Sequence, residues 1–166
     1  MTIPTFTLIS PFPPEQYNLA WEWLNEFPEA NFDDYGPKTF AEFRTIMAMR
    51  AEYETIVGVE VDGELVGILA YLPYTPRTGT LHGICFAAKV HRTGLAFHAV
   101  RRFLGNIYAC GVDKISAGFH ADNRRVYLFL QSLGAVLEGY LKADTMRGGK
   151  PIDKYLVAFF KQKETN

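Results

Sequence analysis

Residues 86–96 read Phe86-Ala87-Ala88-Lys89-Val90-His91-Arg92-Thr93-Gly94-Leu95-Ala96. Upstream, Thr80 to Phe86 is β-prone. Downstream, Gly94 to Cys110 reads as a helix, with Leu95, His98, Ala99, Arg102, Phe103, Ile107 and Tyr108 as candidate positions along it, and Gly111 supplies a stop. A strand that ends in a small-residue loop and opens a helix leaves several backbone N–H groups unpaired and aligned with the positive end of the helix dipole. That combination is a site for phosphate oxygens. No G-x-x-x-x-G-K-[ST] occurs in the chain, so the stretch predicts a phosphate-bearing cofactor rather than nucleotide hydrolysis.

Working outward, Thr5–Ile9 alternates as a first strand and is stopped by Ser10-Pro11-Phe12-Pro13-Pro14. Glu15–Glu26 predicts a helix with a broad aromatic face (Tyr17, Trp21, Trp23). After a polar loop, Thr39 with Glu42 three residues on reads as a capping box opening a second helix, to about Tyr53. Thr55–Val61 and Glu64–Tyr71 are strands joined by Asp62-Gly63, a strong hairpin signal. Pro73, Pro76 and Gly79 form the next connection, and alternation along Thr80–Phe86 places Thr80, His82, Ile84 and Phe86 on one face. Strands at Lys114–Phe119, Ala135–Leu141 and Lys154–Phe160 and a helix at Asn123–Ser132 complete the order β-α-α-β-β-β-α-β-α-β-β. This is an α+β domain with a mixed sheet.

At 166 residues the chain is expected to form one domain, 1–166, with 48% apolar residues to build a core. Lys+Arg of 17 against Asp+Glu of 18 calls for neither a nucleic-acid nor a membrane partner. Two cysteines, Cys85 and Cys110, assemble no zinc spacing and are expected as reduced, buried thiols of a cytoplasmic protein. The N-terminal residues lack the charged and apolar regions of a signal peptide.

The element order and loop resemble the GNAT N-acetyltransferase superfamily. Its cofactor motif, roughly V-x-P-x-x-[RQ]-x-x-G-x-[GA], falls on Phe86, Ala88, His91, Gly94 and Ala96. Gly94 and Ala96 agree; His91 stands where the family has Arg or Gln, and Ala88 where it often has Pro. A second motif, roughly N-x-x-A-x-x-x-Y-x-x-x-G-[FA], falls on Asn123, Val126, Leu130, Gly134 and Ala135. Leu130 replaces a tyrosine that in many members protonates the departing thiolate. The second half also resembles compact acetyltransferase-like proteins of tailed phages.

The resemblance implies a mostly antiparallel sheet of about seven strands with flanking helices. Residues 1–54 build the acceptor side and 55–160 the acetyl-CoA-binding core. It implies acetyl-CoA as co-substrate, a small-molecule or protein amine as acceptor, and often a homodimer. Acetyl-CoA would be held by Phe86, Ala87, Ala88, His91, Arg92, Thr93, Gly94, Leu95, Ala96 and Asn123, where Lys89 also adds charge. Two histidines, His82 and His120, are equal candidates for the base that neutralises the amine; both also read as structural, His82 bonded on a sheet face and His120 at a helix entry. Tyr127, Tyr140 and Tyr155 are substitutes for the missing tyrosine, with solvent as the alternative proton source. Glu29, Asp33 and Asp34 form an acidic loop able to attract a cationic amine. Arg101, Arg102, Arg124 and Arg125 have two readings, as phosphate partners and, with more weight, as solvated helix faces. Three functions stand open: N-acetyltransferase, transferase of a larger acyl group, and an inactive binding or assembly protein on the same fold.

Overall fold

The computed structural model describes residues 4–28 and 32–162. Residues 1–3, Glu29 of the acidic loop and the tail from residue 163 lie outside the described residues. One seven-stranded sheet runs in the order β1-β2-β3-β4-β5-β7-β6. Its strands are β1 (Thr7–Ile9), β2 (Thr55–Val61), β3 (Glu64–Thr75), β4 (Thr78–Phe86), β5 (Lys114–His120), β6 (Val136–Arg147) and β7 (Lys150–Phe160). Four α-helices are described: α1 (Tyr17–Asn25), α2 (Phe40–Arg50), α3 (Leu95–Ala109) and α4 (Arg124–Ser132). The order matches the sequence expectation, and the sheet is antiparallel except between β4 and β5.

Local signals set several boundaries. Thr39 and Glu42 form a reciprocal capping box at the start of α2. Asp62 and Gly63 both take positive φ, as a tight two-residue hairpin turn requires. The helices divide between the two faces of the sheet. Tyr17, Trp23, Phe43 and Met47 from α1 and α2 pack on Ile56, Ile68 and Ala70. Leu95, Ala99, Phe103 and Leu130 from α3 and α4 pack on Val57, Leu69, Ile115 and Val157. No described helix is long and apolar enough to cross a membrane.

Three expectations are corrected. β3 and β4 run through Pro73 and Gly79, leaving only Pro76 and Arg77 between the two strands, because Pro73 sits at a register shift where no ladder N–H is needed. Cys110 is exposed, since it follows the last buried position of α3, Ile107; Cys85 packs beside the α1/α2 core, and burial pushes its thiol up to about 12. The alternation along β4 is broken at His82. Leu81 pairs with Tyr71 and Gly83 with Ala70, so His82 is the extra residue of a β-bulge. Ile84 and Phe86 therefore join Leu81 on the α3 face, while His82 reaches residues at the end of α2.

Candidate active site

The parallel ladder between β4 and β5 runs from Thr78–Lys114 only to Leu81–Ala117. Beyond it each strand stays with its antiparallel neighbour: Phe86 with Gly67 of β3, and His120 with Lys154 of β7. The two strand ends thus part, and an extended chain can lie between them.

Next to this opening, the loop turns through a short 3-10 segment, Ala88–Val90, into α3. Arg92 (φ 65) and Gly94 (φ 82) are both left-handed, and Gly94 caps α3 with no side-chain hydrogen bond. Thr93 braces the turn: its hydroxyl donates to Val90 O (2.7 Å) and accepts from Leu95 N–H (3.2 Å). Among the described residues, the N–H groups of Arg92, Gly94, Ala96 and Phe97 have no acceptor in the protein. A Cβ at Gly94 would meet nothing within 4 Å, so the space beside Gly94 is open. Such a cradle, with the helix dipole behind it, fits a diphosphate.

Other cofactor candidates make contacts within the protein. Leu95 is fully buried in the α3 core. Ala87 N–H donates to Val66 O (3.0 Å), and Ala88 N–H to the Glu26 carboxylate (3.1 Å). The His91 ring bonds Phe86 O (3.1 Å) and stacks on Phe27, while Lys89 pairs with Glu64. Asn123 caps α4, its Oδ1 accepting from Val126 N–H (3.2 Å).

The two candidate bases lie on opposite sides of the opening, in opposite electrostatic settings. His82 Nδ1 lies 2.7 Å from Glu54 Oε1, and the Glu54 side chain is fully buried. Arg50 grips the same carboxylate with Nε and Nη2, at 2.8 and 2.7 Å. Burial alone would raise the Glu54 pKa, but the hydrogen bonds from Arg50 and His82 and the guanidinium charge outweigh it and hold the carboxyl below its usual value. The carboxylate accepts, so Nδ1 carries the hydrogen and Nε2 keeps its lone pair. The His82 side chain is half exposed, which leaves it open to an incoming amine.

At the end of β5, His120 Nδ1 faces Arg147 Nη2 at 2.6 Å, and Arg147 Nη1 donates to Asp122 Oδ2 at 2.7 Å. A guanidinium only donates, so the imidazole lone pair is already engaged and Nε2 carries the hydrogen. Burial, reinforced by the Arg147 charge, lowers the His120 pKa and keeps the ring neutral. This histidine can offer a hydrogen bond but has no free lone pair for a proton.

The acidic loop is a clasp. Thr145 donates to Asp33 Oδ2 (2.7 Å), and the N–H groups of Gly148 and Gly149 donate to the Asp34 carboxylate (2.8 and 2.9 Å). These contacts tie the α1–α2 connection to the β6–β7 hairpin. The Gly149 and Gly148 bonds hold the Asp34 carboxyl below its usual range; for Asp33, hydrogen bonds from Thr145 and the local backbone outweigh burial to the same end. At the position of the missing tyrosine, Leu130 is buried in the core. Tyr127 lies between Phe119 and Tyr155, its hydroxyl bonded by Gln131, and Tyr140 is held by Asp153.

Arg50, Glu54 and Arg147 escape sequence reasoning. The i,i+4 spacing of Arg50 and Glu54 is a signal for a pair, but nothing in the local sequence announces that the pair is buried.

No curated protein matches the chain in sequence. Solved structures share its fold. The spermidine N-acetyltransferase of Vibrio cholerae, in complex with CoA and spermine, superposes with a TM-score of 0.80 over 97% of this chain and 98% of that one, at 18% identity. An N-acetyltransferase from Staphylococcus aureus Mu50 gives 0.76 over 94% and 98%, also at 18% identity. The model of the acetyltransferase (GNAT) family matches residues 17–135, spanning α1 through α4 and the loop between β4 and α3. With the parted strands, the loop and the family model in agreement, the chain belongs to the GNAT family and is an N-acetyltransferase with acetyl-CoA as its co-substrate.

Proposed function

We propose that the chain transfers the acetyl group to a primary amine by direct attack, with His82 as the general base. The amine acceptor is a small molecule or a protein amine; the polyamine in the Vibrio cholerae complex makes spermidine and spermine sensible first compounds to screen. Acetyl-CoA brings the acyl group as a reactive thioester. Arg92, Gly94, Ala96 and Phe97 would hold the diphosphate through their backbone N–H groups, and the parted ends of β4 and β5 would flank the pantetheine arm.

An alkylammonium ion cannot attack until it loses a proton. His82 Nε2 takes that proton, and the neutral amine nitrogen then bonds to the carbonyl carbon as the carbon–sulfur bond breaks. The new amide nitrogen sheds its second proton to water, and the thiolate is protonated from solvent. With Leu130 buried and no phenol at that position, an enzyme-borne acid is not required, because thiols with a pKa near 8.5 are good leaving groups.

The observation that carries this reading is the set of unpaired N–H groups at the start of α3, opening on empty space at Gly94. Calorimetry of acetyl-CoA binding tests it. Wild type should bind, and Gly94→Trp, which adds bulk at a left-handed residue in the mouth of the cradle, should not. Absence of wild-type binding at millimolar acetyl-CoA would overturn the reading.

A further inference from the structure

Behind His82 lies a charge pair that amine deprotonation alone does not explain. The Glu54 side chain is fully buried, between the end of α2 and the start of β2. A buried carboxylate is costly unless its oxygens are satisfied and its charge is met. Both conditions hold. Oε2 accepts from Arg50 Nη2 at 2.7 Å, and Oε1 accepts from Arg50 Nε at 2.8 Å and from His82 Nδ1 at 2.7 Å. Arg50 Nη2 also reaches His82 O at 3.4 Å, so the guanidinium touches the histidine's backbone and its carboxylate partner together.

The backbone aims the ring at this pair. His82 is the unpaired residue of the β4 bulge, and the bulge sends it toward the end of α2. From α2 and the residues after it, Arg50 and Glu54 are the charged groups facing it. The opposing β3 residues are Ala70 and Tyr71, and the Tyr71 side chain packs in the core on the other face of the sheet.

We infer that Glu54 is a positioning residue that fixes His82 as the Nδ1–H tautomer with Nε2 directed at the acceptor amine, and that Arg50 keeps Glu54 ionised and in place. This inference rests on the reading of His82 as the base. Glu54 does not touch the substrate. It acts by choosing which ring nitrogen holds the hydrogen, and so which one faces the acceptor amine.

Two readouts on the full-length chain test it. The first is 15N NMR of the histidine rings, which reports tautomers without any turnover. Wild-type His82 should show the Nδ1–H form. Arg50→Met/Glu54→Leu, which exchanges the pair for apolar groups and avoids stranding a lone buried charge, should show a mixture rich in Nε2–H. The second is steady-state kinetics. The double variant should lose about 10- to 100-fold in kcat with the KM for acetyl-CoA unchanged.

An unchanged tautomer and an unchanged kcat in the double variant would overturn the inference while leaving His82 as base, provided that His82→Ala lowers kcat. If His82→Ala keeps kcat, the base assignment itself falls, and this inference with it.

Discussion

His82 and His120 both lie beyond the short parallel ladder of β4 and β5, on opposite sides of the same opening: His82 directly after Leu81, the last paired residue of β4, and His120 at the end of β5. Each ring uses Nδ1 to meet a charged partner, at 2.7 Å and 2.6 Å respectively. The partners differ in sign. A carboxylate behind His82 makes Nδ1 the donor and leaves Nε2 with a free lone pair. A guanidinium behind His120 makes Nδ1 the acceptor and leaves Nε2 a donor. The lesson is that a histidine's role is set by what stands behind the ring, and strand position alone says nothing about it.

The most severe way to break this contrast is to delete each ring in turn. His82→Ala should lower kcat by about 100- to 10,000-fold, with acetyl-CoA affinity by calorimetry unchanged. His120→Ala should lower kcat by no more than about fivefold, because that ring has no free lone pair to lose. Comparable losses in the two variants would erase the distinction.

A gentler test uses stability. Native His120 resists the proton that the unfolded chain binds below about pH 6.5, so folding stability drops as pH falls through that window. His120→Gln should flatten the thermal midpoint between pH 7 and 5 by about 2 °C. The carboxyls of Glu54, Asp33 and Asp34 are held low, so their contribution is present above about pH 4.5 and is lost only as pH falls through their depressed folded values. Melts of wild type and His120→Gln should therefore show the same further loss in that lower range. An identical slope for both proteins between pH 7 and 5 would show that His120 takes up its proton freely.

The smallest expected effect sharpens the account of the leaving group. Tyr127→Phe should change kcat by about twofold or less, since solvent can protonate a thiolate of ordinary basicity. A large loss would assign that proton to the phenol one turn before Leu130.

Features written into a few neighbouring residues were legible in the sequence. Thr39 with Glu42 and Asp62-Gly63 took the cap and the turn that their chemistry favours. Hidden were features decided across the sheet. The bulge at His82 exists only in register with Ala70 and Tyr71, and it overturns a simple alternation. The burial of Glu54 depends on how α2 is laid against β4. Arg147 reaches His120 because β6 continues past Leu141, where a strand end was expected, through an irregular stretch to Arg147. The clasp that consumes Asp33 and Asp34 likewise joins residues more than a hundred positions apart.

The brevity of the ladder between β4 and β5 has a mechanical side. Every other neighbouring pair of strands is antiparallel. The sheet is therefore two stiff leaves, β1–β4 and β5–β7, whose shared seam is sewn only from Thr78–Lys114 to Leu81–Ala117. A ligand lying in the unsewn part would act as a rivet as well as a reactant, and would stiffen the seam for as long as it stayed. Backbone amides in residues 82–86 and 118–120 should then exchange their hydrogens more slowly with acetyl-CoA bound. Unaltered exchange there would mean that the leaves keep their spacing without it.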